Sequence, residues 1–370
     1  MRVSVLDQST VAAGRSAGET IRDTVAFAQA CERLGYARFW VSEHHGSPGI
    51  AGSAPEVLLG ALAMATRRIR IGSAGVMLPH YGPLKVAEQF RVLDALAPGR
   101  IDLGLGRGPG ADRQAAYALK PGALDNPFAM MGLDRFPEDV GHVVAWTRGA
   151  ALPDGHPFAG IIAQPVADTT APEPWIVGSS GATARVAGAQ GLAYCYAHFF
   201  DDGAGAAEAI AAYRAAFRPS AARARPHVGL CVWAVAAPTE AAADALAEAY
   251  ALWRLDRDRG HMPAFPGPAE VAAARPSPAG EDRLAALRTR IVRGTGAGVA
   301  ARLREIAAAL DADELVVVTT THSPADRLRS CELLARAMGL GAAPERAAAW
   351  RAPDHRPITP TPSQDMEPQE

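Results

Sequence analysis

The sequence predicts an α/β protein, a (β/α)8 TIM barrel with long insertions after its fourth and seventh strands. Three observations predict it. Short β-branched runs alternate with Ala-rich helical runs, the pattern of repeated βα units over a parallel sheet. Eight strand-like runs can be counted, at residues 3–6, 37–41, 69–74, 101–105, 175–178, 192–197, 228–235 and 314–319. A chain of 370 residues, 49% of them hydrophobic, also has enough apolar material for a barrel of about 250 residues plus insertions.

Each element follows from local pattern. The chain enters its first strand at once, as Arg2-Val3-Ser4-Val5-Leu6-Asp7, with no signal-peptide apolar region before it. No apolar run is long enough to span a membrane. A cytoplasmic location is therefore expected. Helical runs follow at 19–34, 55–66, 83–96, 182–190, 205–217, 240–255, 298–310 and 325–338. The helix at 55–66 is apolar nearly all round, where an outer barrel helix should have a wet face. Together with helix 83–96 it is expected to pack against a second copy as a homodimer, the alternative being cover by the chain's own loops. Two stretches break the rhythm. Residues 109–174 are rich in Pro and Gly, and residues 257–283 hold five prolines with few bulky apolar side chains. Loops of that length in a compact domain usually serve as lids or substrate loops. The barrel is taken as residues 1–340, and the Pro-rich polar tail 341–370 as disordered.

Charge excludes several functions. Lys and Arg number 37 against 39 Asp and Glu, so neither a nucleic acid nor a membrane surface is an expected partner. Cys31, Cys195, Cys231 and Cys331 are far apart with no CxxC pair, and read as reduced core thiols.

Four motifs carry chemistry. The second strand ends as Trp40-Val41-Ser42-Glu43-His44-His45, placing titratable groups at a strand's carboxyl end, where barrels do their chemistry. Alternation sends His44 one way and Glu43 and His45 the other, which argues against all three gripping one metal. One imidazole in the barrel mouth suits acid–base work or hydrogen bonding to a cofactor, the bland reading being a satisfied core histidine. The fourth strand runs into Gly104-Leu105-Gly106-Arg107-Gly108-Pro109-Gly110. A dinucleotide fingerprint is rejected, because Pro109 stands where the third glycine belongs and no acidic residue completes the unit. An open loop for a flat ligand, with Arg107 aimed at an anion, fits better. The fifth strand leads through Gly178-Ser179-Ser180 to a helix that includes Thr183. Free amides at that helix start, with hydroxyls beside them, suit a phosphate, while ordinary N-capping stays open. In the third strand, small Ala74 and Gly75 would let a planar ring lie against backbone, or would serve tight packing.

These residues resemble the bacterial luciferase-like flavin monooxygenase family. The resemblance is carried by Leu34-Gly35-Tyr36, by Arg38-Phe39-Trp40 running into Glu43-His44-His45, and by Ser53-Ala54-Pro55-Glu56. Residues 68–72, 86–89 and 93–107, the Gly178-Ser179-Ser180 turn, residues 213–220 and Asp313-Glu314-Leu315 extend it over most of the barrel. The resemblance implies a (β/α)8 dimer that uses reduced FMN, supplied by a separate flavin reductase, and O2, with a C4a-peroxyflavin oxygenating a small organic substrate. It implies that His44 is catalytic and that Arg107, Ser180 and Thr183 hold the flavin phosphate beside Gly178 and Ser179. It implies a cis peptide between Ala74 and Gly75 under the flavin ring, and a mobile lid at 257–283. The catalytic luciferase subunit has a reactive cysteine where this chain has Gly106, which points to the single-chain, non-luminescent branch. An F420-dependent oxidoreductase on the same barrel, in line with the Ala/Arg-rich composition, and a non-catalytic flavin-binding subunit are the alternatives.

Overall fold

The computed structural model describes residues 1–108, 110–120, 135–166, 170–258, 260 and 262–341. Its strands are β1 (Arg2–Asp7), β2 (Arg38–Val41), β3 (Arg70–Met77), β4 (Ile101–Gly106), β5 (Glu173–Gly178), β6 (Ala193–Tyr196), β7 (Val228–Ala237), β8 (Val292–Thr295) and β9 (Glu314–Val318). Strands β1 to β7 pair in sequence order, and β9 closes the ring between β7 and β1, every pairing parallel. Val5 sits beside Phe39, Phe39 beside Ile71, and Ile71 beside Ile101, so matched rows of side chains circle the barrel. The eight-stranded TIM barrel expected from the βα rhythm is the fold observed.

Burial explains why the strands read as continuous apolar runs. All four residues of β2 are buried, because one face meets the helices and the other fills the barrel. Phe39, Val41, Ile71 and Leu103 pack outward under the helices. Trp40, Trp175, Cys195, Trp233 and Val316 pack inward, with the Trp40 and Trp175 rings edge to face at 5.0 Å. The floor of the barrel is ionic. Buried Arg38 reaches Asp102 at 2.7 Å, Glu314 at 3.0 Å and Glu173 at 3.1 Å, and its guanidinium lies 5.0 Å from the Trp175 ring centre. Trp40 Nε1 donates to Asp102 at 2.9 Å.

The helices start and stop on recognisable signals. Ser16 caps the helix Ala17–Leu34 in a reciprocal capping box with Glu19, and Gly35, at φ +86°, ends it. A Cβ at Gly35 would also lie 2.5 Å from the Gly341 carbonyl oxygen, so both conformation and space require glycine.

Three expectations need correction. A ninth strand, β8, lies outside the ring and pairs only with Ala234–Ala237 of β7; it is four residues long and interrupted by Gly294, too weak a β pattern to register. The stretch 109–174 is not all loop, since the helix Phe136–Thr147 within it packs on the helix Pro83–Leu96 as part of the barrel's outer layer. Its buried Phe136, Val140, Val143 and Trp146 have helical spacing that flanking Pro and Gly obscured. The stretch 257–283 is largely helical too, holding Pro268–Ala273 and the start of Pro278–Arg290. The tail expected to be disordered lies, beyond Gly341, outside the described residues.

On the helices Pro55–Ala65 and Pro83–Leu96, Val57, Met64, Val92 and Leu96 are 71%, 56%, 48% and 47% exposed. All four cysteines are buried free thiols. Among the described residues no helix is long and apolar enough to cross a membrane.

Candidate active site

The carboxyl ends of the strands surround a cleft of about 1050 Å³. Every residue expected to be catalytic or to hold a cofactor lines it: His44, Ala74, Gly75, Arg107, Gly178, Ser179, Ser180 and Thr183. These come from the ends of β2, β3, β4 and β5, which are neighbours in the ring.

The β2 end is built around a buried carboxylate. Glu43 is fully buried and accepts from the Met77 amide at 2.9 Å, the Tyr81 hydroxyl at 2.7 Å and His45 Nε2 at 2.8 Å. Three donors offset the cost of burying that charge and fix the turn after β2. Burial, and then the hydrogen bond to Glu43, push the Tyr81 phenol far above its ordinary value, so it remains a donor. His44 turns the other way, its Nδ1 3.1 Å from Ser42 Oγ. Burial first, then the nearby Arg257 charge, push the His44 imidazole down to about 4, against the opposing pull of Glu43. The ring is therefore neutral at pH 7, and Nε2 is the nitrogen left for a ligand.

Alternation was expected to separate the two histidines. Instead both line the cleft, because β2 stops at Val41 and the chain beyond it no longer follows a strand. The His44 amide donates to Gly52 O at 2.9 Å and the His45 amide to Gly110 O at 2.8 Å.

The floor comes from β3 and β4. The Ala74–Gly75 peptide bond is cis, and the β3–β4 register shifts between Ser73 and Val76. Ser73 Oγ donates to Gly104 O at 2.9 Å and accepts from the Gly104 amide at 3.1 Å, bridging the irregular stretch. A Cβ on Gly75 would fall 2.8 Å from Gly104 O. Beyond β4, a Cβ on Gly108 would meet nothing within 4 Å, so the loop beside Arg107 is open. Arg107 makes no ion pair or hydrogen bond to a described residue.

At the β5 end, Ser180 caps the helix Gly181–Ala189, its Oγ accepting from the Thr183 amide at 3.3 Å. Thr183 Oγ1 donates to Ser180 O at 2.9 Å. The first-turn amides of that helix point toward the cleft end of β5 without intrahelical acceptors. The capping and phosphate readings are compatible, since the cap engages the Ser180 and Thr183 hydroxyls and the Thr183 amide but leaves the Ser179 hydroxyl and the amides of Gly181 and Ala182.

The opposite wall was not legible as a site. Phe199 and Phe200 follow β6, Trp253 and Arg257 come from the helix Glu240–Asp258, and Met262 and Pro263 follow it. Trp253 Nε1 donates to Pro263 O at 2.9 Å, and the Gly49 amide to Met262 O at 2.9 Å, tying this wall to the loop after β2. Arg257, Met262 and Pro263 fall in the stretch 257–283 expected to hold a lid or substrate loop, whereas Phe199, Phe200 and Trp253 carry no such signal in the sequence.

Comparison with known proteins agrees with this geometry. Residues 1–313 match the family model of luciferase-like monooxygenases. Over 244 residues, 65% of this chain and 70% of the relative, the chain is 41% identical to the N-acetyl-S-alkylcysteine monooxygenase of Bacillus subtilis strain 168. The solved structure of apo-MsnO8 superposes with a TM-score of 0.79 at 33% identity, covering 92% of this chain and 98% of that one. The oxygenating constituent of 3,6-diketocamphane monooxygenase from the CAM plasmid of Pseudomonas putida, a type II Baeyer–Villiger monooxygenase solved with FMN, shares the fold. Its TM-score is 0.68 at 21% identity, over 93% of this chain and 99% of that one. A neutral histidine, an open arginine and a hydroxyl-bearing helix start are gathered at a barrel mouth, and the match along 1–313 identifies the chain as an enzyme of the luciferase-like monooxygenase family.

Proposed function

We propose that this enzyme is a two-component monooxygenase that receives reduced FMN from a separate flavin reductase and uses O2 to oxygenate a small organic substrate. The observation that carries the reading is the convergence, in one cleft, of an arginine without an acidic partner among the described residues and a helix start bearing hydroxyls. That donor set suits a phosphate dianion, through charge, free amides and hydroxyls together. Arg107, Ser179, Ser180 and Thr183 would hold the phosphate, and the small Ala74–Gly75 segment would let a flat ring approach backbone. When bound, reduced flavin supplies the two electrons that activate O2.

The chain's own residues do the rest. His44, neutral and engaged by Ser42 at Nδ1, offers Nε2 to hold or move a proton at the reacting centre. Trp253, Phe199, Phe200 and Met262 make the facing wall apolar and exclude water. The exposed apolar residues of the helices Pro55–Ala65 and Pro83–Leu96 support association of two copies through that face.

The test is rapid mixing of oxygen with anaerobic protein and reduced FMN, following flavin absorbance. Reoxidation clearly slower than that of free flavin is the expected result. Reoxidation at the free-flavin rate, with no FMN binding by equilibrium dialysis and with F420 bound instead, would overturn the reading.

A further inference from the structure

The helix Glu240–Asp258 carries two arginines one turn apart, and only the second of them, Arg257, reaches the cleft. Arg254 is buried, donates to Phe199 O at 2.8 Å, and pairs with Asp202 at 3.2 Å. Arg257 lines the cleft itself, its guanidinium carbon 5.3 Å from the Phe200 ring centre. Its guanidinium makes no hydrogen bond or ion pair to a described residue. The two acids that act on it, Asp258 and Asp202, are already engaged. Asp202 holds Arg254 and lies 3.8 Å from Arg290, while Asp258 holds Arg283 at 2.6 Å. Three guanidiniums, those of Arg254, Arg283 and Arg290, therefore take up the two carboxylates, and the fourth, facing the cleft, is left over.

The electrostatic response agrees with that count. Burial would lower Arg254, but Tyr250 and Asp202 raise it. Arg257 is lowered, burial being the largest cause, with Tyr250, Asp258 and Asp202 too weak to offset it. Arg257 is also near enough to His44 for its charge to act on that imidazole. It stands apart from the phosphate donors in origin: Arg107 follows β4 beside the Ser179–Ser180 turn of β5, whereas Arg257 stacks on Phe200, beyond β6. The cleft, at about 1050 Å³, exceeds the roughly 300–1,000 Å³ of a single small-ligand site, which leaves room beside a cofactor.

We infer that Arg257 anchors an anionic substrate: an organic oxyanion, carboxylate or sulfonate, whose apolar body lies against Trp253, Phe199, Phe200 and Met262. A guanidinium with an open fork and apolar walls binds such a group through two parallel charge-assisted hydrogen bonds. The inference takes the cleft to be the substrate site, as proposed above, and names the class of substrate.

The test uses octanoate, octanesulfonate and the neutral octanamide, with binding to the full chain followed calorimetrically, first without flavin and then with oxidised FMN present. Both anions are expected to bind about tenfold to a hundredfold more tightly than octanamide, the range for a charged hydrogen-bonded pair. Arg257→Met should abolish that preference while leaving octanamide and FMN affinities within about twofold, octanamide binding serving as the control for folding. Arg107→Met should leave the preference intact. Equal affinity for octanoate and octanamide, a preference that survives Arg257→Met, or loss of FMN affinity in that variant would each overturn the inference. A chain that binds no FMN but keeps an Arg257-dependent preference for anions would instead remove the flavin reading and leave this one standing.

Discussion

Replacing Arg38 by Met should cost more than any other single change in the barrel floor. Arg38 is 1% exposed and touches three carboxylates, of which Asp102 and Glu314 are fully buried. Burial alone would raise Glu314. Hydrogen bonding from His227, the Arg38 charge and the Ser4 hydroxyl outweigh it and hold the group below its ordinary value. Glu173 is likewise held down despite burial, chiefly by Arg38, Arg70 and Arg223. Methionine keeps the volume and removes the charge, so Asp102 retains Arg70 but Glu314 loses its guanidinium. Stranding a buried charge costs about 3–5 kcal/mol, which at about 1.4 kcal/mol per tenfold is two to three and a half decades in the folding equilibrium. Urea titration by tryptophan fluorescence measures it, with the midpoint lowered and the slope unchanged. The pH dependence is the sharper test. In the wild type the lowered carboxylates add stability that is present above about pH 4.5 and is lost as pH falls through their folded values. In the variant, the stranded acids take up protons in the folded state before they do when unfolded. The deficit should therefore shrink steadily between pH 7 and pH 5. A loss below about 1 kcal/mol, or one equal at both pH values, would refute the view that Arg38 compensates these charges.

Other outcomes follow from the cleft and the outer surface. Arg107→Ala should weaken FMN binding by about 1.5–3 kcal/mol, read by flavin fluorescence; unchanged affinity would remove the phosphate role. His44→Ala should bind FMN normally yet form no product, and equal turnover would sink its assignment. In the flavin-free protein, the lowered His44 adds stability above about pH 6.5 that is lost as pH falls toward 4, because the unfolded ring protonates first. The ceiling is about 3 kcal/mol, less after solvent screening of a half-buried ring. Comparing urea midpoints of wild type and His44→Gln at pH 7 and pH 4.5 checks this, a constant difference being the contrary result. Val57→Glu combined with Met64→Glu should dissociate the proposed dimer in sedimentation at micromolar concentration; a monomeric wild type would remove the dimer reading, and a dimer that persists in the variant would place its interface elsewhere.

Much of this was legible in the sequence, for identifiable reasons. Strands buried on both faces write their burial as continuous β-branched and aromatic runs, so eight ring strands could be counted from residues alone. β8 could not be, because Val292 and Thr295 flank an arginine and a glycine and the strand adds to β7 only at its end. The helix Phe136–Thr147 is hard to see in the sequence because its own period is diluted within a 66-residue stretch rich in Pro and Gly. At the site, residues that act through type and place, such as His44 and Arg107, announced themselves at strand ends. Glu43 was seen but its role was not, since three donors converge on it from Met77, Tyr81 and His45, and two of those are more than thirty residues away in the chain. Arg257 was hidden for the opposite reason. Its meaning lies in the partners it lacks, and no local pattern reports that neighbouring Arg254 and distant Arg283 have already claimed the carboxylates of Asp202 and Asp258.

The two ends of the barrel handle arginine in opposite ways, and that contrast is a physical argument about where function lies. At the amino-terminal end Arg38, Arg70 and Arg223 meet Asp102, Glu173 and Glu314, so charge is matched within the chain. At the carboxyl-terminal end Arg107 and Arg257 line a cleft and pair with no acid among the described residues: of the acids that line it, Asp112 caps a helix and Asp258 holds Arg283, while fully buried Glu43 nearby is saturated by neutral or imidazole donors. Uncompensated cations beside apolar walls destabilise the empty protein. Folding alone gives no reason to keep them, and an arriving anion converts that cost into binding energy. A ligand that binds only the folded state adds stability as the logarithm of its concentration over its dissociation constant. An anion placed at either arginine should therefore raise the unfolding temperature, while the same anion can do nothing for Arg38, whose partners are already in place.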